Sequence, residues 1–458
     1  MVPPEKAMRA RTENTLLVLL GVLILYLSKD IFMINTGDWF RAIGTIVDLK
    51  ANNVNAYDRV MPTALTLREH FGLLRDNEYV SAYSYLIHGY GVLLKLITST
   101  LDIQLLAAAL KAVYVYVLYR VFVGIGVPSG GWRVPLFAVC ALPMFASSNL
   151  GFFPYFYQEQ LLFIALPVMA LYFLTPSRPA TTCAFLVAML LAACAKSQFF
   201  YLPLLAAPFV AYKLGWRGAL KVNLGLAAIQ VLAILCIVGS GNALNLNRYH
   251  ATYFGVYVYM RDAGMDISHV PNPQCIGVDT WGDTYDYEQG AVPSQVGSRC
   301  IELNRDASFG DAVRAMLMNP GMVFGLLADK KFIDQFRTNY FHVYKKNQLI
   351  VSPPGNGLHG LTLIKDTLTQ QLKSFGTFFL ALVFLWRPLR RLFPAALFVM
   401  LVFYSQIYIS FLGEGYRDLS KHLSVANLAF DLLLFLLFAG LVAAVVRRST
   451  KYHDGNPD

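Results

Sequence analysis

The chain contains, at residues 425–446, the apolar sequence VANLAFDLLLFLLFAGLVAAVV, which ends at Arg447 and Arg448. A helix of about 20 apolar residues crosses the hydrocarbon core of a bilayer, so this run predicts a transmembrane helix. The basic residues at its end predict that this end faces the cytoplasm. Asp431 interrupts the run, and a carboxylate that faces lipid is costly. We therefore expect Asp431 to face the other helices and to pair with a neighbour.

Similar runs occur along the whole chain and determine its class. The chain is 56% hydrophobic and 14% charged, and its mean hydropathy is +0.48. The other runs lie at residues 15–33, 104–125, 134–148, 160–174, 181–195, 199–212, 222–240, 374–386 and 393–412. Together the runs predict an all-α polytopic protein of the lipid bilayer, with about 10–12 transmembrane helices and both termini in the cytoplasm. The net charge of +10 comes from basic residues at the ends of the runs, so no nucleic-acid partner is expected.

This topology predicts the organisation of the whole chain. The predicted segments are a cytoplasmic N-terminus (1–14), a first transmembrane helix (15–33), a first extracytoplasmic loop (34–80), a transmembrane bundle (81–240), a large extracytoplasmic loop (241–370), C-terminal transmembrane helices (371–446) and a cytoplasmic tail (447–458). The first run lacks a small-residue cleavage site, so no cleavable signal peptide is expected. Residues 81–97 are apolar enough to span, but a crossing there would reverse every later loop. We interpret them as a re-entrant or juxtamembrane helix.

The two large loops have structure of their own. In the first, apolar residues from Trp39 to Leu49 recur at helical spacing, which predicts an amphipathic helix along the membrane surface. In the second, residues 308–337 predict a helical stretch within a mixed loop domain. Cys275 and Cys300 also lie in this loop, where an oxidising compartment favours a disulfide over two unpaired thiols. Function is therefore expected on the extracytoplasmic face.

Two acids are candidates for the chemistry. Asp38 lies in the sequence NTGDWFR at residues 35–41, just outside the first span, where partial desolvation would raise its basicity and suit it to deprotonate a hydroxyl group. The alternative is that Asp38 caps the helix that follows it. Glu159 lies in PYFYQEQ at residues 154–160, where polar groups among aromatic residues suit a sugar and its phosphate. The alternative is an interfacial aromatic belt with a solvated glutamate.

Basic and polar residues near the span ends are candidates for binding. Lys196 lies at the junction of two runs, where its ammonium suits an anionic lipid phosphate, although snorkelling also explains the position. The loop before the last span contains three further candidates for a phosphate, or is simply a charged loop: Arg417, Lys421 and His422. Candidates for binding an acceptor or sugar are Arg41, Gln158, His250 and Tyr253, each of which is equally suited to a structural role.

Several chemistries lack their motifs in this sequence. It has no phosphate-binding glycine loop of the Walker type, no paired His-Glu zinc motif and no nucleophile elbow. ATP-driven transport by this chain alone is therefore excluded, and no cofactor is expected.

The order of the motifs resembles one family. Gly37-Asp38, Lys196, the segment His250 to Gly255 and the run Gly413-Glu414-Gly415 followed by Lys421-His422 resemble the membrane-embedded glycosyltransferases of the C superfamily, especially bacterial surface-glycan transferases. The resemblance implies a bacterial inner-membrane enzyme that uses a polyprenyl-phosphate-linked sugar on the periplasmic face, with inversion at the anomeric carbon. The acceptor would be a surface glycan, lipid A, O-antigen or a protein.

The resemblance also implies roles for the candidate residues. Asp38 would be the base that activates the acceptor hydroxyl, and Glu159 would shape or polarise the site. Lys196, Arg417 and Lys421 would stabilise the departing lipid phosphate. Asp38 is followed by Trp39 and not by a second acid, so no obligatory metal is expected.

Two other functions use similar groups. A flippase for a lipid-linked sugar would also hold phosphate, but it should carry polar residues along a path to the cytoplasm. An O-antigen-type polymerase or ligase would act on a lipid diphosphate oligosaccharide and should have arginine-rich outer loops. The concentration of polar residues at the extracytoplasmic edge favours the transferase.

Overall fold

The computed structural model describes residues 4–36, 39–55, 58, 60, 62–73, 80–239, 243–279, 294–337 and 349–453. Asp38 lies outside these ranges. The helices of the first part are α1 (Pro4–Leu27), α2 (Phe40–Ile43), α3 (Ala82–Lys95), α4 (Ile103–Gly124), α5 (Arg133–Cys140), α6 (Ser147–Leu150), α7 (Gln160–Leu174), α8 (Pro179–Ala193) and α9 (Leu202–Gly239). Those of the second part are α10 (Ala243–Ala251), α11 (Tyr257–Asp262), α12 (Ser294–Leu303), α13 (Phe309–Met318), α14 (Gly321–Ala328), α15 (Lys330–Asp334), α16 (Gly357–Thr369), α17 (Lys373–Val383), α18 (Phe393–Glu414), α19 (Leu419–His422) and α20 (Ser424–His453).

Strands contribute two small antiparallel pairs to the described residues. They are β1 (Phe32–Met33) with β4 (Ile350–Val351), and β2 (Ala64–Thr66) with β3 (Thr100–Asp102). The first pair joins the chain after α1 to the chain before α16, with Phe32 opposite Val351. It thereby brings the end of the predicted first span next to the later part of the predicted second loop.

The fold is an all-α polytopic membrane protein, as the sequence predicts. Among the described residues, the helices long and apolar enough to cross a membrane number 5: Ala10–Leu27, Ile103–Gly124, Ser197–Gly239, Arg390–Glu414 and Ser424–Arg448. Shorter apolar helices are Gln160–Leu174, Pro179–Ala193 and Lys373–Val383. The long span breaks at Gly215, whose φ of 69° favours glycine, so α9 consists of two helices that are joined at this residue.

The loop after the first span differs from the surface helix that its sequence predicts. The structure has a single helical turn, α2, followed by turns. Its apolar residues are buried in the protein and do not lie along a membrane surface, since Trp39 stacks on Phe156 with 6.0 Å between ring centroids. Val47 forms an isolated bridge with Leu67. Tertiary packing therefore takes these side chains out of contact with lipid.

Two other segments are shorter than a continuous helix. Residues 308–337 form α13, α14 and α15, which are separated at Asn319-Pro320 and at Asp329. Residues 81–97 contain α3, which begins at a capping box between Ser81 and Ser84. At 14 residues, α3 is too short for a straight crossing, in keeping with a re-entrant or juxtamembrane helix.

Part of the predicted second loop packs into the bundle. The hydroxyl of Tyr408, six residues from the end of α18, donates to the carbonyl of Val323 at 2.9 Å. Further along α18, Phe403 stacks on Phe336 at 5.8 Å. Tyr408 and Phe403 are five residues apart, about 7.5 Å along a helix, so residues 323–336 extend more than one turn along the span. α16 joins the bundle too, because Thr362 lies 2.8 Å from Ser147 through their hydroxyl oxygens.

The bundle interior contains the partner of Asp431. Lys365 on α16 donates to Asp431 Oδ2 at 2.6 Å, and the amide of Asn149 donates to the same oxygen at 2.8 Å. The Asp431 side chain is fully buried. The prediction that Asp431 pairs inside the bundle is therefore confirmed. A second buried pair joins Lys373 to Asp366 at 3.4 Å across the break between α16 and α17.

Candidate functional site

Three segments that are distant in the sequence meet at Glu159. This residue immediately precedes α7, Lys196 lies between α8 and α9, and His422 ends α19. Lys196 Nζ donates to Glu159 Oε1 at 2.7 Å and lies 3.3 Å from His422 Nδ1. Glu159 is 1% exposed, so its carboxylate depends on these partners for its charge compensation.

His422 extends the contacts to the end of α18. Its Nε2 lies 2.8 Å from Glu414 Oε2, and the amide of Asn247 donates to Glu414 Oε1 at 3.1 Å. On the other side of the ring, Nδ1 also lies 3.2 Å from Gln198 Oε1. Neutral His422 can thus accept from Lys196, whereas protonated His422 can donate to Gln198. The protonation state of one ring changes the donors available around Lys196.

Lys421 links this group to the segment after the first span. Its Nζ lies 3.4 Å from the hydroxyl oxygen of Thr36 and 3.5 Å from Asp418 Oδ2. The backbone N–H of Thr36 donates to the hydroxyl of Tyr157 at 2.7 Å. Thr36 precedes Asp38 by two residues in the sequence. We call Glu159, Lys196, Glu414, Lys421 and His422 the Glu159 cluster.

The electrostatics of the cluster keep Glu159 ionised. Burial by itself would raise the pKa of Glu159, but the positive charges of Lys196, His422 and Lys421 outweigh that effect and lower the pKa below its ordinary value. At neutral pH the carboxylate is therefore a fixed counterion that orients the cations. To act as a proton donor at neutral pH, Glu159 would need a raised pKa instead.

Close packing of two glycines explains how the cluster is positioned. Gly415 ends α18 with a φ of 64°, and a Cβ added there would lie 2.6 Å from the carbonyl oxygen of His250. A Cβ on Gly255 would lie 2.7 Å from Cα of Gly415. The N–H of Tyr416 donates to the carbonyl of Phe254 at 3.1 Å. The segment His250 to Gly255 thus packs directly against the run Gly413 to Gly415, and we call this contact the joint. It holds Glu414 and the residues after it in place.

Arg417 and His250 form a separate buried group with Asp279 beside this joint. Both contact Asp279, with His250 Nε2 at 3.3 Å from Asp279 Oδ1 and the Arg417 guanidinium in an ion pair with the same carboxylate. Burial, and then the charge of Arg417, lower the pKa of His250 to about 3, so the imidazole is neutral at physiological pH. The structure therefore groups Arg417 with Asp279, apart from Glu159 and Lys196.

The remaining predicted binding residues have varied positions. Tyr253 is buried, stacks on Tyr249 at 5.1 Å and donates to the carbonyl of Pro271 at 2.7 Å, so it packs the second loop. Gln158 is buried next to Glu159 in the sequence, and Arg41 is half-buried on α2. Asp38 lies outside the described residues, so its geometry does not enter the site.

The predicted disulfide is present. Cys275 and Cys300 are bonded with a Cα–Cα distance of 5.6 Å, and they connect the segment before Asp279 to α12. The hydroxyl of Tyr249 donates to the carbonyl of Cys275 at 3.1 Å. The disulfide thus holds the chain on which Asp279 lies.

Several residues of the site were not predicted from the sequence. Glu414 stands in the Gly413-Glu414-Gly415 run, yet only the structure shows that it contacts both His422 and Asn247. Gln198 follows Lys196 by two residues, and Asp279 carries no local motif at all. Asp279 is one of four acids between Cys275 and Cys300, so its place in the sequence does not single it out. Within the described ranges, no group of three or more His, Cys, Asp or Glu residues is arranged to hold a metal ion.

Comparison with known proteins assigns the chain to a family. It is 34% identical over 437 residues to the uncharacterized protein YfdI of Escherichia coli (strain K12), covering 94% of this chain and 96% of that protein. The chain belongs to the YfdI family. The family model described as the YfdI N-terminal transmembrane domain matches residues 386–456, a range that includes Glu414, Lys421 and His422. No solved structure matches the chain.

Proposed function

We propose that the chain is an inner-membrane glycosyltransferase that moves a sugar from a polyprenyl-phosphate donor to an extracytoplasmic acceptor. The observation that carries this proposal is the convergence of Lys196, Lys421 and His422 on the buried carboxylate of Glu159, beside Thr36. Preorganised cations suit a reaction in which negative charge develops on a departing phosphate. Thr36, which Lys421 contacts, precedes Asp38, the candidate base, by two residues in the sequence.

Lys196 is suited to bind the donor phosphate without losing Glu159. An ammonium has three N–H donors, and Glu159 and His422 occupy two of them. Lys196 also lines a small cavity together with Ser81 and Ser197, whose hydroxyl groups are further donors. A phosphate oxygen in this cavity would meet a charged donor that Glu159 already holds in place.

The proposed reaction is a single displacement. The acceptor oxygen attacks the anomeric carbon, its proton passes to the Asp38 carboxylate, and the bond from the anomeric carbon to the phosphate oxygen breaks. The polyprenyl phosphate leaves with the bonding electron pair, which Lys196 and Lys421 stabilise. Attack from the face opposite the leaving group inverts the anomeric configuration.

The test measures transfer of a radiolabelled sugar from a polyprenyl-phosphate donor in membranes that contain equal amounts of each variant. Asp38→Asn and Lys196→Ala are expected to abolish transfer. The matched controls Asp306→Asn and Lys330→Ala change exposed residues and should retain it. Transfer that survives Asp38→Asn would move the base elsewhere. If the wild type transfers nothing from a panel of donors, the transferase proposal fails in favour of a flippase or polymerase.

A further inference from the structure

Two cysteines lie beside the cavity that Lys196 lines. Cys194 immediately follows α8, and Cys236 lies near the end of α9. Their side chains are near enough to interact with each other. Both also line the cavity, together with Ser81, Ser197 and Lys196. The two thiols thus lie on the wall of the same small cavity.

The surrounding packing fixes one of the two cysteines more firmly than the other. The carbonyl of Cys194 accepts a hydrogen bond from the N–H of Ala82 at 2.8 Å, and its own N–H donates to Leu190 at 3.1 Å. Cys194 is 5% exposed, whereas Cys236 is half-buried. A disulfide bond of roughly 2.05 Å would require the two sulfur atoms to approach each other, which moves the segment after α8 relative to α9.

The thiol pair lies on the same side of the membrane as the structural disulfide. Cys236 is three residues from the end of α9 at Gly239, and α10 begins at Ala243. Four residue steps from Gly239 to Ala243 reach at most about 14 Å, so α9 ends on the side that contains Cys275 and Cys300. A disulfide in a folded domain indicates an oxidising compartment. The thiol pair therefore faces oxidants of the disulfide class.

We propose that Cys194 and Cys236 form a reversible disulfide that controls the position of Lys196. One thiolate attacks a disulfide oxidant and forms a mixed disulfide, and the second thiolate displaces the oxidant's remaining thiol. The two cysteines lose two protons and two electrons, and the oxidant is reduced to two thiols. The new bond draws α8 and α9 together, narrows the cavity and shifts Lys196, two residues beyond Cys194, away from Glu159. The effect on catalysis rests on the proposed function, but bond formation does not.

The chemical test uses the full chain in lipid nanodiscs. The protein is incubated with oxidised glutathione, alkylated with N-ethylmaleimide, digested and analysed by mass spectrometry. We expect a cross-linked peptide pair containing Cys194 and Cys236, which dithiothreitol converts back to two alkylated peptides. The exposed Cys183 should remain alkylated throughout and is the internal control. Alkylation of both thiols after oxidation, or separate glutathione adducts without a cross-link, would overturn the proposal.

The functional test compares sugar transfer before and after oxidation. We expect oxidation to abolish transfer by the wild type and dithiothreitol to restore it, whereas transfer by Cys236→Ser should not respond to the oxidant. The Cys275–Cys300 bond is followed in the same digest, so that its reduction is not mistaken for the effect. A cross-link that leaves transfer unchanged would refute the control of Lys196. If the unoxidised wild type transfers no sugar, the proposed function fails and the cross-link map alone decides on the thiol pair.

Discussion

Removal of one charge from the buried pair Lys365–Asp431 should destabilise the bundle strongly. In Asp431→Asn, the Lys365 ammonium stays buried at 7% side-chain exposure with no carboxylate at its former distance of 2.6 Å. Breaking a buried pair in this way costs about 3–5 kcal/mol, because the remaining charge is desolvated and uncompensated. The double variant Lys365→Met/Asp431→Leu removes both charges and should cost much less, since apolar replacement of a whole buried pair is often neutral.

The free energy of unfolding can be measured by titrating detergent-solubilised protein with dodecyl sulfate while following tryptophan fluorescence. The exposed pair of controls, Lys330→Met and Asp306→Asn, should each change the free energy by at most about 0.5 kcal/mol. A double-mutant cycle then gives the coupling between Lys365 and Asp431. A loss below about 1 kcal/mol for Asp431→Asn, or single losses that simply add in the double variant, would refute the assignment of this pair.

Three further predictions concern the Glu159 cluster and the joint beside it. Glu159→Gln removes the counterion of Lys196, so we expect transfer to be lost while membrane expression, measured by immunoblot, is retained. Because the pKa of His250 is lowered from 6.5 to about 3, the unfolded chain binds the proton first as pH falls, so melting temperatures should drop from pH 6.5 to 3, and less so for His250→Gln. Gly415→Ala should lower thermal stability by roughly 1–2 kcal/mol or more, because of its positive φ and the nearby carbonyl of His250, whereas Gly413→Ala, with open space around its Cβ, should not.

Much of the fold follows from the sequence because membranes impose a simple rule on apolar length. The last run, the C-terminal arginines and the expected pairing of Asp431 all follow from the cost of polar groups in lipid. The run at 374–386 is too short by that rule. In the structure, α16 comes directly before the helix that contains this run. Leu363 and Leu368 of α16 are exposed on the surface of the protein, whereas its Lys365 is buried. A helix with charges on one face does not register as an apolar run.

The candidate site was only partly predictable for a different reason. Glu159, Lys196 and His422 are candidates from the sequence because each is a polar residue beside an apolar run. Their mutual contacts depend on tertiary pairing across 37 and 226 residues of sequence, which no local pattern encodes. The same holds for Asp279, which is recognisable only once Arg417 and His250 are seen to face it. Short motifs therefore located the site without giving its connections.

The buried face of α20 bears on the choice between a transferase and a flippase. From Ser424 to Asp431 this face carries the polar residues Ser424, Asn427 and Asp431, and Asp431 is neutralised by Lys365. Beyond Asp431 it becomes apolar: Phe435 packs on Phe122 and Phe137 at ring distances of 6.4 and 6.3 Å. A flippase must offer a charged headgroup a polar path across the whole bilayer, since hydrocarbon does not solvate it. On this face the polar residues end at the Lys365–Asp431 pair, and aromatic packing follows. This arrangement supports chemistry that is confined to one face of the membrane.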